Sequence, residues 1–445
     1  MEIYLLLSVL AAVLLLLILV MRYKIPAFLA LLLSCFVVGL LANHPIEDVF
    51  KSIQTGVGNT LGFVAVVIGL GSLLGGFLEA TAGAEVLTQK IITLFGEKKA
   101  SWALLIAGFL IAIPVFFDVA FIILIPVVYS LQRKSGKSIL LYALPLLAGL
   151  AITHAFIPPT PGPVAVAQIL DASIGWVIIF GFLVGIPTAI VSGIIFPHYI
   201  STKIYGTAPE LVLEEPLSNR PKLRHVLLII GWPLGWIVLA TLIKSLNWGS
   251  CLPDILQTTI QLIGHPFGAL LSANFIAWIL FRLHYQIDSS KLLEISNRSL
   301  QPVGLIILLT ATGGAFKQLL IDTETGTIIT NLVHSSGISI LLFAFIISAL
   351  VRLIQGSATV AMITSAGLTA PLLTDTISDP KKALIVIVIA SGASIFSHVN
   401  DSGFWLVSKY LGLNEKDTLR SWSFMTLMLA LIGFLMSALI SLWIS

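Results

Sequence analysis

Apolar runs recur along this chain at lengths suited to crossing a bilayer: 3–21, 25–43, 61–80, 102–131, 139–168, 174–197, 226–245, 266–283, 302–321, 338–373, 383–411 and 422–444. A hydrocarbon core takes about 20 apolar residues of helix, so most of these runs read as single spans. Four do not. The runs 102–131 and 338–373 are long for one straight helix and short for two, and each breaks near its middle, at Pro114 to Asp118 and at Arg352 to Thr359. Each predicts a re-entrant helical hairpin, because irregular backbone at membrane depth is tolerated where protein or a water-filled cavity covers it. The runs 139–168 and 383–411 break at Ile152-Thr-His-Ala-Phe-Ile-Pro-Pro-Thr-Pro-Gly-Pro163 and at Ile395-Phe-Ser-His-Val-Asn-Asp-Ser-Gly403. These predict discontinuous helices, centred on His154 and His398. Paired interruptions at corresponding places in two halves point to a substrate site of a secondary transporter.

The longest polar interval, His198 to His225, divides the chain nearly in half. It predicts a first membrane repeat over 1–197, a cytoplasmic linker over 198–225 and a second repeat over 226–445. Each half shows two spans, a Gly-rich third, an amphipathic stretch (84–99 and 322–335), a hairpin, a broken helix and a final span. Gly75-Gly76 corresponds to Gly313-Gly314 and Asp118 to Gly356, both at an offset of 238, while His154 and His398 differ by 244. One hairpin per half leaves five full spans, an odd number, so the second repeat is expected to be inverted. Loop charge agrees. Under this topology 18 of the 24 lysines and arginines fall in cytoplasmic loops, with both termini periplasmic.

Composition narrows the class. With 58% hydrophobic and 10% charged residues and a mean hydropathy of +1.05, the chain has too little polar surface for a soluble domain. A net charge of +3 does not suggest nucleic acid. Cys35, inside an apolar run, and Cys251 give neither a disulfide framework nor metal-ligand spacing. The first run lacks a basic lead and a clear cleavage site, so it reads as a retained helix rather than a signal peptide. No P-loop, dinucleotide fingerprint, HExxH or nucleophile elbow appears, so neither an enzyme, a cofactor nor a metal is expected. Gly69-Leu-Gly-Ser-Leu-Leu-Gly-Gly76 reads as close helix packing.

Charged residues at membrane depth are expensive, roughly 2.5–3.5 kcal/mol on insertion scales, and so mark function or a paired partner. Asp118 reads either as a half-helix cap or as a proton carrier or acceptor for substrate hydroxyls. Arg352 either snorkels to an interface or serves as the fixed cation for a carboxylate. Gln355, Gly356, Ser357 and Thr359 follow it at the tip, where side chains and helix N–H groups could take carboxylate or hydroxyl oxygens. His154 and His398 are either structural or site residues able to relay a proton. Thr160 stands beside the first, and Asn400, Asp401 and Ser402 beside the second. Asp401 has the same two readings as Asp118. The remaining histidines lie near segment ends or in loops and carry no assigned role.

Phe116-Phe-Asp-Val-Ala-Phe-Ile-Ile-Leu-Ile-Pro126, His154-Ala-Phe-Ile-Pro-Pro-Thr-Pro-Gly-Pro163, Gln355-Gly-Ser-Ala-Thr-Val-Ala361 and Asp401-Ser-Gly-Phe-Trp405 resemble the gluconate:proton symporter (GntP) family over essentially the whole chain. The resemblance implies an all-α integral membrane protein of the ion-transporter superfamily type, in the bacterial inner membrane, that takes up gluconate or a related sugar acid with protons. D-serine or another small hydroxy acid is the alternative substrate, and a homodimer is among the assemblies open to it. Two positions depart from the pattern the resemblance implies, with Thr160 where His is expected and Asp118 where Glu is expected. On this reading His154, Thr160, Arg352, Gln355, Gly356, Ser357, Thr359, His398, Asn400 and Ser402 bind substrate, and Asp118 and Asp401 couple the proton.

Overall fold

A computed structural model describes residues 2–209, 221–246, 248, 252–301, 303–324, 338–373 and 377–444. Most of the amphipathic stretch expected at 322–335, the 210–220 part of the linker and Cys251 lie outside them. Among the described residues there is no strand. Seven described helical stretches are long and apolar enough to cross a membrane.

The first half opens with α1 (Glu2–Met21), α2 (Ala27–Leu41) and α3 (Ile46–Ala80), followed by the amphipathic α4 (Gly83–Phe95). Helix α3 starts 15 residues before the apolar run expected at 61–80. Its first turns carry Glu47, Asp48 and Lys51, which hide it from a hydropathy reading. At 35 residues it reaches about 52 Å, well beyond one hydrocarbon core. Next come α5 (Ala100–Ile111) and α6 (Phe117–Ser135), then α7 (Leu140–Phe156) and α8 (Pro161–Ile169), and α9 (Ile174–Ile200) with a π-helical stretch at Val191–Ile195.

The second half runs through α10 (Leu223–Ser245), α11 (Asp254–Gly264), α12 (Pro266–His284), α13 (Ser289–Leu300) and α14 (Val303–Asp322). Then follow α15 (Ile340–Gln355), α16 (Ala358–Thr369), α17 (Asp379–Ala393), α18 (Ser402–Leu411) and α19 (Glu415–Ser441). The short helix α11 is absent from the sequence expectation, which has no element between 245 and 266. Helices α9 and α10 also reach three residues into the expected linker at each end.

Both hairpins form where the apolar runs break. The chain of α5 and α6 turns back on itself, since Lys134 near the end of α6 stands 3.9 Å from Glu97 just before α5. Exposed as it is, that pair adds little stability, but it shows that the hairpin leaves beside where it enters. The second hairpin closes likewise: Phe343 and Ile347 of α15 share an apolar cluster with Leu368 and Leu372 beyond its turn.

Each hairpin packs its first helix on the broken helix of its own half. On α5 and α7, Gly108 lies against Leu146 O and Gly149 against Leu105 O, so close that an added Cβ would stand 2.5 Å and 2.3 Å from those oxygens. On α15 and α17, Gly392 lies against Phe345 O, and Ser348 Oγ donates to Ile389 O at 2.7 Å. Small residues that let helix backbones meet are the usual means of helix association in a bilayer, where the hydrophobic effect supplies no drive. The same device joins the halves, with Gly56 of α3 and Gly314 of α14 in backbone contact.

Candidate functional site

The second hairpin turns because Gly356 adopts φ +83° and its N–H bonds back to Arg352 O at 2.9 Å, closing α15. That left-handed conformation favours glycine. Two more carbonyls at the end of α15 are met from the break between α17 and α18. His398 Nε2 donates to Leu353 O at 3.0 Å, which fixes the proton on that nitrogen. Asn400 Nδ2 donates to Leu353 O at 3.0 Å and Ile354 O at 3.3 Å. The break in the broken helix thus holds the tip of the hairpin. Ser357 caps the next helix by accepting from Val360 N–H, and Asp401 caps α18 by accepting from Gly403 N–H at 3.1 Å.

Between this tip and the first hairpin lies a cavity of about 420 Å³. Asp118 and Phe117 reach it from the start of α6, His154 from the end of α7, Arg352, Gln355, Gly356, Ser357 and Thr359 from the second hairpin, and Asn400, Asp401 and Ser402 from the second break. Three helix N-termini, those of α6, α16 and α18, open on this space. Their unpaired N–H groups and dipoles favour an anion. The charged lining residues are one cation, Arg352, and two acids, Asp118 and Asp401.

Arg352 is 5% exposed. Its Nη2 is ion-paired with Asp401 Oδ2, which also accepts from Ser397 Oγ. Breaking such a buried pair by removing one partner costs roughly 3–5 kcal/mol. The Nε and Nη1 of Arg352, both polar atoms of the Gln355 amide and Nδ1 of His154 are buried without a protein partner. A buried donor or acceptor left unsatisfied costs about 1–3 kcal/mol, so five such atoms around one cavity suit a polar, hydroxyl-rich ligand with a negative charge.

Two expected site residues stand apart. Thr160 does not line the cavity: it is 5% exposed, stands at the residue before α8, and its hydroxyl donates to Ile157 O at 2.6 Å. It borders a separate small pocket with Ser72, Pro114 and Phe116. His398 is also absent from the lining and spends Nε2 on the hairpin tip. The sequence reading in turn missed Ser397, Trp422 and Thr426. Ser397 is a hub: its hydroxyl accepts from Trp422 Nε1 at 2.7 Å, its N–H donates to Thr426 Oγ1 at 2.9 Å, and its carbonyl accepts from Ser423 Oγ. Trp422 in turn packs on Phe117, ring centroids 5.7 Å apart. Nothing in the spacing of these residues marks them: Ser397 lies in the break beside the more conspicuous His398, and Trp422 and Thr426 lie in the apolar run of α19.

A larger concavity of about 1060 Å³ lies elsewhere, among α9, α10, α11 and the start of α12, with Lys244 and Asp171 on its walls. It holds none of the unpartnered buried side-chain atoms found among the described residues, so the smaller cavity is the better candidate. Among the described residues no group of three or more His, Cys, Asp or Glu is placed to hold a metal ion.

Known proteins resemble the chain throughout. The family model for the GntP family permease matches residues 4–443. The gluconate permease of Pseudomonas aeruginosa is 36% identical over 443 residues, 99% of this chain and 98% of that protein. The low-affinity gluconate transporter of Escherichia coli strain K12 is 35% identical, and the Gnt-II system L-idonate transporter of the same strain 34%, each over 96% of both chains. Among solved structures, the YdaH transporter of Alcanivorax borkumensis, described as having an unusual topology, superposes with a TM-score of 0.62 over 89% of each chain. At 16% identity that likeness concerns the fold. Together with seven apolar helical stretches of spanning length, these likenesses make the chain a multi-pass membrane protein, and it belongs to the GntP permease family.

Proposed function

We propose that the protein is a secondary active transporter that carries gluconate or a closely related sugar acid with protons across the bacterial inner membrane. The observation that carries this reading is the guanidinium of Arg352, buried with Nε and Nη1 unpartnered beside three converging helix N-termini. A carboxylate answers that charge, and a polyhydroxylated chain answers the Gln355 amide, Ser357, Thr359 and Asn400 along the wall. The relatives named for gluconate and L-idonate favour the same substrate class. An amino acid such as D-serine is the second reading, favoured by Asp118, which offers an ammonium group a counter-charge across the cavity.

Charge arithmetic supports proton coupling. The formal charge of the lining residues is −1, from Arg352, Asp118 and Asp401. A carboxylate substrate alone would take it to −2, and one proton restores −1. The repeats 1–197 and 226–445 are read as inverted, with the 198–225 linker cytoplasmic and both termini periplasmic. The like packing of α5 on α7 and of α15 on α17 supports two equivalent halves. On this reading the substrate-binding set is His154, Arg352, Gln355, Gly356, Ser357, Thr359, Asn400 and Ser402.

The substrate class is tested by calorimetry on purified protein with gluconate, idonate, a sugar alcohol of equal length and D-serine. The sugar acids are expected to bind and the sugar alcohol is not. Equal binding of acid and alcohol would remove Arg352 from the site, and binding of D-serine alone would select the second reading.

A further inference from the structure

Resting on the sugar-acid reading of the cavity, we infer that Asp118 takes up the coupling proton when a sugar acid binds, while Asp401 stays ionised on Arg352 throughout. The substrate has no need to displace Asp401. Nη2 of a guanidinium carries two N–H groups, one on each of the two edges that grip a carboxylate. Asp401 meets Nη2, while Nε and Nη1 are buried without a protein partner. The edge that Asp401 leaves free is a complete fork for the substrate carboxylate. Arg352 then serves two carboxylates, and Asp118 is the anion left without a cation.

Their partners separate the two acids. Asp401 accepts from Arg352 Nη2, from Ser397 Oγ and from Gly403 N–H. Each of these donors favours the charged form, and the entering substrate takes none of them away. Its side chain is 13% exposed, so protein donors rather than solvent hold its charge. Asp118 forms no hydrogen bond and no ion pair among the described residues, and it is exposed on the cavity wall. Cavity solvent holds its charge, and a substrate in the same space takes part of that solvent away. Losing solvent beside Asp401 and a second carboxylate disfavours the charged form. Helix ends do not decide between the acids, because Asp118 lies in the first turn of α6 and Asp401 caps α18.

Besides these acids, the titratable or charged groups on the cavity wall are Arg352 of α15 and His154 of α7, and no other helix brings one to it. An imidazolium donates from both ring nitrogens, and Nδ1 of His154 is buried with no acceptor for its proton among the described residues. His154 therefore stays neutral and hydrogen-bonds the substrate. The proton comes from the aqueous phase and forms an O–H bond on the Asp118 carboxylate; no other covalent bond changes. The resulting acid donates to a substrate hydroxyl. One negative charge enters with the substrate and one is removed.

The test is gluconate binding to the full-length purified protein, by calorimetry in buffers of different ionisation enthalpy and by infrared difference spectra. Wild type is expected to take up about one proton per gluconate and to lose affinity about tenfold per pH unit on the alkaline side. Asp118→Asn is expected to bind gluconate with no proton uptake and a flat pH profile. His154→Gln leaves the charge of the wall as it was and is expected to keep the proton. Uptake retained in D118N, or lost in H154Q, overturns the inference. The infrared readout in wild type does not depend on variant folding: a protonated-carboxyl band appears on adding gluconate, and its absence overturns the inference. Asp118→Glu keeps the charge, so the proton count is expected to stay and the band to move; a band that stays in place assigns the proton to another acid. Gluconate that binds wild type without a proton sinks this inference and leaves the sugar-acid reading standing. Wild type that ignores gluconate and binds D-serine sinks that reading.

Discussion

Gly356 and Asn400 are in backbone contact across the two chain breaks of the second half: a Cβ on Gly356 would stand 2.3 Å from Asn400 O. The hairpin tip carrying Arg352 and the broken helix carrying Asp401 therefore meet at a close backbone approach, beside the bonds from His398 and Asn400 to the end of α15. Gly356→Ala meets this clash and also the left-handed cost of about 1–2 kcal/mol. Both effects push the tip away from the break. The variant is expected to melt lower in detergent and to lose gluconate binding. Unchanged melting with unchanged affinity would show that the tip does not depend on this contact.

Arg352→Lys keeps the charge and removes the planar donor set. An ammonium can pair with Asp401 but cannot also present the coplanar pair of donors that a carboxylate takes from a guanidinium. With hydrogen bonds to charged groups at about 1.5–3 kcal/mol, gluconate affinity should fall roughly 10- to 100-fold. The melting temperature should change little compared with Arg352→Gln, which strands Asp401. Calorimetry and thermal melts on the two variants separate these effects.

Thr160 lies outside the cavity, bonded to its own turn. Thr160→Ala should cost about 1 kcal/mol of stability and leave the preference among gluconate, idonate and D-serine as it was. A reversal of that preference in competition assays would place this residue at the substrate after all.

His398 and Asn400 share Leu353 O as acceptor. Either alanine variant alone leaves one donor on that carbonyl, whereas the double variant leaves none. The loss of melting temperature in the double variant should exceed the sum of the single losses, as expected for partners in one network. Strict additivity would mean that the tip is held by other contacts.

Much of this arrangement is legible in the sequence because a membrane makes exceptions costly. Arg352, Asp118 and the proline-rich break at 158–163 stand out from apolar runs, and each lies at a turn or helix end. Hydropathy was blind where polarity is distributed along one helix side. It missed the first 15 residues of α3 and the whole of α11, whose Gln257, Thr258 and Gln261 interrupt its apolar positions. Ser397 and Trp422 were invisible for a different reason. They are 25 positions apart and become partners only when α19 packs beside the break between α17 and α18. The proximity of Thr160 to His154 in sequence does not survive the turn between α7 and α8: His154 faces the cavity and Thr160 another pocket.

The most direct measurement of the central claim is gluconate accumulation in proteoliposomes against its own gradient, driven by an imposed pH difference with the relevant side acidic. The expected result is uphill uptake that a protonophore abolishes, that sodium gradients leave unchanged, and that Arg352→Lys strongly reduces. Uptake that never exceeds equilibrium, or that follows sodium and ignores the protonophore, would contradict it.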